Sequence, residues 1–141
     1  MLLETERRNI GRYGFGVKGF TLSMIETALE VTGGSVPGSV IQAILANGRD
    51  LLAHPVELLP GVQATLEQLS ANYDMMLITK GDLLHQEEKL AASGLGEFFD
   101  AVHIVSNKNA NTYARVMPAP ARTMMVGNSM KSDILPVLEI G

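Results

Sequence analysis

The chain contains no cysteine, which removes disulfides, thiolate nucleophiles and thiolate metal sites from consideration. It has no secretory hydrophobic region and no apolar run of the roughly 18 residues that cross a bilayer, so the expectation is a soluble protein of the cytoplasm. Positive charge is scarce. Eleven Lys and Arg stand against fifteen Asp and Glu, a net charge of -4, which leaves no electrostatic footprint for nucleic acid or an anionic membrane. Internal repeats and low-complexity tracts are also missing. What is there is a chain of 141 residues, 46% of them hydrophobic, enough to build a core as one ordinary domain or as pieces of two small ones.

Two halves meet near "AHPVELLPG", which divides residues 1–55 from residues 56–141. In residues 20–32, "FTLSMIETALEVT", the positions Leu22, Ile25, Leu29 and Val31 follow a mostly helical spacing that stops at Gly33-Gly34. A second helix is predicted from Val36 or Pro37, with Val40, Ile41, Ile44, Leu45 and Leu52 turned inward. No strand intervenes, so this half reads as helical. After Pro60 the pattern changes. "GVQATLEQLSANY" reads as a helix, "DMMLIT" as a strand, "LLHQEEKLAASG" as a helix, "AVHIV" as a strand, "NTYARV" as a short helix and "RTMMVG" as a third strand. Such alternation predicts crossover units and a parallel sheet, an α/β architecture. The methionines, Met75, Met76, Met124 and Met125 among them, are expected to serve as packing rather than as ligands.

"GFGVKG" places Gly14, Gly16 and Gly19 at the spacing of a dinucleotide fingerprint. That motif works only after a buried strand, and the preceding "ETERRNIGRY" is too polar to be one. The segment is therefore expected to be an aromatic-bearing connector ahead of a helix.

Ligands of an open parallel sheet collect where strands end and helices begin. Three segments carry polar groups there. Thr79 closes "MMLIT" with a hydroxyl that can donate to a phosphoryl oxygen, and amides near Lys80 and Gly81 could add donors. Lys108, in "VSNKNANTY", follows the second strand and offers a compact positive charge. "MVGNSMKSD" follows, in which Gly127 permits close backbone approach and Asn128 and Asp133 are hard oxygen donors of the kind magnesium takes. Taken singly, a strand-end Thr is ordinarily a turn or cap, a loop Lys is ordinarily solvated, and an Asp before an apolar run is ordinarily a helix cap.

In this order, "LITKG", "SNKNANTY" and "GNSMKSD" resemble the haloacid dehalogenase superfamily, a group dominated by phosphate-ester hydrolases. "LLPGVQATLEQL" and "GLGEFFDAV" are similar to that family's connecting segments, so the resemblance covers about residues 58–141, and the helical residues 9–54 are similar to its cap domains. The resemblance implies a Rossmann-like parallel core with a helical cap, and magnesium-dependent phosphoryl transfer from a small phosphorylated substrate through an aspartyl-phosphate. Thr79 and Lys108 would be catalytic, Thr79, Lys80, Gly81 and Lys108 would bind substrate, and Asp133 and Asn128 would hold the metal. Dehalogenation is the variant that needs no metal.

The family's attacking aspartate lies on a strand upstream of the cap, and nothing before Asn9 resembles it. The expectation is thus a fragment whose sheet lacks its central strand, inactive alone and open to self-association through unpaired edges. Asn128 stands where the family has an aspartate, and the segment between Lys108 and Gly127 is shorter than usual. Two readings outside the hydrolase class stand beside this one, a degenerate non-catalytic fragment and a receiver-like or nucleotide-binding α/β module. Arg12, Tyr13, Lys18 and His54 are the polar candidates for substrate choice in the helical half.

Overall fold

The structure, a computed structural model, describes residues 1–117 and 122–141. Three helices come first: α1 over Leu2–Tyr13, α2 over Val17–Val31 and α3 over Gly38–Ala53. The polar segment before "GFGVKG" is thus a helix. Its residues 5, 9 and 13 recur every four positions, share one face, and meet α2 through polar groups. Asn9 Nδ2 donates to Ser23 Oγ at 3.2 Å and to Glu26 Oε2 at 2.6 Å, and the Tyr13 hydroxyl donates to Glu26 Oε1 at 2.6 Å. Arg8 pairs with Glu30 on the same side.

This polar seam corrects the expected core. In α2 the buried residues are Gly19, Thr21 and Ser23, whereas Leu22, Leu29 and Val31 lie exposed on other faces. In α3 only Gly48 is fully buried, Ile41 and Ile44 are half-buried, and Val40, Leu45 and Leu52 are exposed rather than turned inward. Small residues win the interface because backbone approach decides it. A Cβ on Gly48 would sit 2.5 Å from Thr21 Oγ1, and that hydroxyl is already held by the Val17 carbonyl at 2.8 Å.

The second half alternates as the sequence predicts. Helix α4 spans Val62–Ser70, β1 spans Met76–Lys80, α5 spans Leu83–Ser93, a 3-10 turn covers Gly96–Phe98, β2 spans Ala101–Val105 and α6 spans Ala110–Val116. Short polar side chains set the helix starts. Asp82 accepts from the His85 amide at 3.2 Å to begin α5, and Asn109 accepts from the Thr112 amide at 2.9 Å to begin α6. Gly94, at φ 68°, ends α5 in the left-handed region. The two strands pair in parallel, with Met76 opposite Ala101 and Lys80 opposite Val105, so α5 is the crossover. The result is a helix-rich α/β fold with a small parallel sheet.

The expected third strand does not form. Residues 123–127 follow no regular path, and Met124 and Val126 are 81% and 80% exposed, so Met124 is not a core residue. An extended apolar run becomes a strand only where a neighbour completes its ladder, and among the described residues β1 and β2 pair only with each other. The chain ends in a π-helical turn over Met130–Ile134 that continues into α7, Leu135–Leu138. Tyr113 and Met117 of the α6 region are the buried hydrophobic residues among those described, and Tyr113 lies under the turn that carries Asp133.

Candidate active site

Parallel pairing brings the C-terminal ends of β1 and β2 to one edge, and the predicted residues are distributed along it. Thr79, paired with Ile104, is the penultimate residue of β1. Its hydroxyl donates to Gln86 Oε1 in the first turn of α5 at 2.9 Å. Gly81 lets Gln86 come that close, since a Cβ there would sit 2.8 Å from Gln86 Nε2. The Gly81 amide, expected to face an anion, instead points at the Val105 carbonyl at 3.4 Å and extends the sheet. The start of α5 is likewise taken by its own cap, Asp82. The Gly81 and His85 amides are thus already engaged.

Lys108 and Asp133 meet there. The Lys108 ammonium donates to Asp133 Oδ1 at 2.8 Å, with the two side chains only 15% and 5% exposed. Asp133 Oδ2 accepts from the Ser129 amide at 3.1 Å. Burial alone would raise the carboxyl's pKa, but the Lys108 ammonium and the amides of Ser129 and Asn128 outweigh it and hold the group below the usual carboxylate range. Two residues build the seat. Gly127 leaves room, since a Cβ there would lie 2.8 Å from both Asp133 Cγ and Asp133 Oδ2. Tyr113, fully buried, donates its hydroxyl to the Ser132 carbonyl at 2.8 Å and anchors the turn. Burial, reinforced by the nearby Asp133 charge, pushes its phenol up to about 12, so it acts as a neutral donor. Neither Gln86 nor Tyr113 stands out in the sequence, because each works through a partner distant along the chain.

Lys80 follows Thr79 and lies against Phe15, its ammonium 3.5 Å from the ring centroid. Burial first, and then the neighbouring Lys108, hold its pKa below the usual lysine value. Asn128 is exposed beside the Asp133 turn. The described residues contain no group of three or more His, Asp or Glu side chains able to hold a metal.

The candidates of the helical half are dispersed. Lys18 reaches Asp82 with Nζ 3.0 and 3.1 Å from the two carboxylate oxygens. Tyr13 is held by Glu26. His54 Nδ1 lies 3.0 Å from the Pro55 carbonyl oxygen on the surface, and Arg12 is exposed in the last turn of α1. Among the described residues no helix is long and apolar enough to cross a membrane.

No protein-family model matches the chain, and no curated protein does. Among solved structures it is similar to a haloacid dehalogenase-like family hydrolase from Xanthomonas campestris, with 49% identity and a TM-score of 0.94. That match covers 99% of this chain and 62% of the neighbour's, so the chain spans less than two thirds of the neighbour's length. Thr79, Lys108 and Asp133, which carried the sequence resemblance, therefore sit on a backbone shared along almost the whole chain at high identity, and the chain belongs to the haloacid dehalogenase superfamily.

Proposed function

We propose that this chain supplies the phosphoryl-binding edge of a hydrolase that cleaves small phosphate monoesters with magnesium. The observation that carries the reading is the buried Lys108–Asp133 pair, seated at the sheet edge where β1 presents Thr79. The neighbour's description as a hydrolase supports the reaction class. Burying a lysine and an aspartate together is costly and is weakly justified by stability alone. A site that must offer a fixed positive charge to a phosphoryl group explains the arrangement better. Asp133 positions the Lys108 ammonium, and the Thr79 hydroxyl can turn from Gln86 to donate to a phosphoryl oxygen.

Magnesium would be held by Asp133 and the side-chain oxygen of Asn128. The residues fit in kind: both donors are hard oxygens, and Asn128 stands exposed beside the turn that carries Asp133. When bound, the ion would supply positive charge to the phosphoryl oxygens. One carboxylate, already shared with Lys108, makes a weak holder. Calorimetry is expected to give millimolar or weaker magnesium binding, abolished by Asp133→Ala. Tight binding that survives the substitution would contradict this assignment.

Transfer through an aspartyl-phosphate needs a carboxylate free to attack. At this edge Asp133 is tied to Lys108 and Ser129, while Asp82 caps α5 and binds Lys18. The 141-residue chain by itself is therefore expected not to hydrolyse an aryl phosphate above a Thr79→Ala control with magnesium present. The binding half of the reading is tested by titration with inorganic phosphate: Lys108→Ala should weaken binding at least tenfold. Equal binding by both chains would remove Lys108 from the site and the reading with it.

A further inference from the structure

The glycine-rich turn between α1 and α2 does something that its fingerprint-like spacing does not suggest. Gly14 and Gly16 have φ of 72° and 127°, values that an ordinary side chain rarely adopts, and between them Phe15 is carried out toward the sheet edge. The turn rests on the loop after β1. A Cβ on Gly16 would lie 3.7 Å from the Asp82 amide nitrogen, Lys18 grips both Asp82 oxygens, and the Phe15 ring lies 3.5 Å under the Lys80 ammonium.

We infer that Phe15 is a positioning residue for anion binding: its ring orders the Lys80 ammonium as a second cation beside Lys108 without neutralising it. The inference rests on the phosphoryl-binding reading of the edge and adds to it a contribution from the helical half. Lys80 feels the charges of Lys108 and Lys131 there, and also that of the buried carboxylate Asp133. Lys108 has that carboxylate. Lys80 has a ring, and the difference matters for function. A carboxylate partner, as on Lys108, fixes a cation but offsets part of its charge, whereas an aromatic face attracts the cation through its quadrupole and leaves the net charge intact. The contact also restricts a long side chain that is otherwise rich in rotamers. The ammonium's remaining N–H donors stay available on the side away from the ring. A phosphate or phosphate ester gains two fixed cations from different parts of the fold.

The test is a titration of the full 141-residue chain with inorganic phosphate, followed by NMR of the lysine side chains. Phe15→Leu keeps an apolar side chain of similar bulk but has no aromatic face. It should weaken phosphate about fivefold, the scale of a partly shielded cation–π contact, and abolish the ring-current shift of the Lys80 ε-methylene. Phe15→Tyr restores the face and should restore both. Lys18→Ala removes the other tie between turn and loop while sparing the ring, and should change phosphate affinity by less than twofold. The inference is overturned if Phe15→Leu binds as tightly as the natural chain or more tightly. It is equally overturned if Lys18→Ala weakens binding as much as Phe15→Leu, since docking of the turn would then be the cause. In both cases, loss of binding in Lys108→Ala would leave the phosphoryl-binding reading standing. If the natural chain binds no phosphate, that reading falls and the inference falls with it. A Phe15→Leu chain that fails to fold is replaced by Phe15→Met, judged by the same outcomes.

Discussion

Asp133→Ala should lower the stability of the chain by about 3 kcal/mol or more, the usual consequence of stranding one member of a buried ion pair. The substitution leaves the Lys108 ammonium without its 2.8 Å partner in a position only 15% exposed, and removes the acceptor of the Ser129 amide. Thermal unfolding should register a fall of roughly 10 °C for a chain of this size. Asp133→Asn retains an oxygen for Ser129 and should cost less. The same pair sets the acid response. Because the folded-state pKa of Asp133 is depressed, its contribution is fully present above the unfolded value of about 3.9 and is lost as pH falls through the folded value. The natural chain should therefore shed stability below about pH 4, and the Asp133→Ala chain should shed less over that window. An Asp133→Ala chain as stable as the original would mean that the pair is not buried as described.

Gly127→Ala is expected to be the next most damaging change, and for a steric reason. The added Cβ would meet Asp133 Cγ and Oδ2 at 2.8 Å, and the side chain it meets is fixed by Lys108 and Ser129, not free to swing away. Overpacking of this kind costs about 1–3 kcal/mol, and here it also displaces the carboxylate that positions Lys108. Stability and phosphate affinity should fall together. Gly11→Ala provides the contrast. Gly11 lies inside α1 with no atom near its would-be Cβ, so alanine there should stabilise by up to about 1 kcal/mol. If Gly127→Ala proved as harmless as Gly11→Ala, the close packing of Gly127 on Asp133 would be refuted.

These residues were legible in the sequence to different degrees. Thr79, Lys108 and Asp133 drew attention because each follows a local transition from an apolar run to a polar turn and their order resembles the haloacid dehalogenase motifs. Both paired strands and the crossover helix were readable from the same transitions. The run in residues 122–127 has the same apolar character as "AVHIV", but a strand depends on what lies beside it, and composition does not report a neighbour. Burial in the helical half was misread on physical grounds. Spacing identifies an apolar face on α2, yet the packed positions lie on two other sides, Gly19 and Ser23 toward α1 and Thr21 toward α3, where backbones approach and polar side chains satisfy one another. The contacts that tie the halves were not readable at all. Lys18 and Asp82 are 64 positions apart, and nothing local in "GFGVKG" points to "TKGD".

The central claim is that a phosphoryl group binds at the edge where β1 and β2 end, held by Thr79 and Lys108 with Asp133 behind. The most direct measurement is an anomalous difference map from crystals of the 141-residue chain soaked in tungstate, a phosphate mimic visible by its metal. The account predicts a peak between Thr79 Oγ1 and the Lys108 ammonium, with the Thr79 hydroxyl turned away from Gln86, and no such peak in Lys108→Ala crystals. Tungstate found only elsewhere on the surface, or at this edge equally in Lys108→Ala, would contradict it.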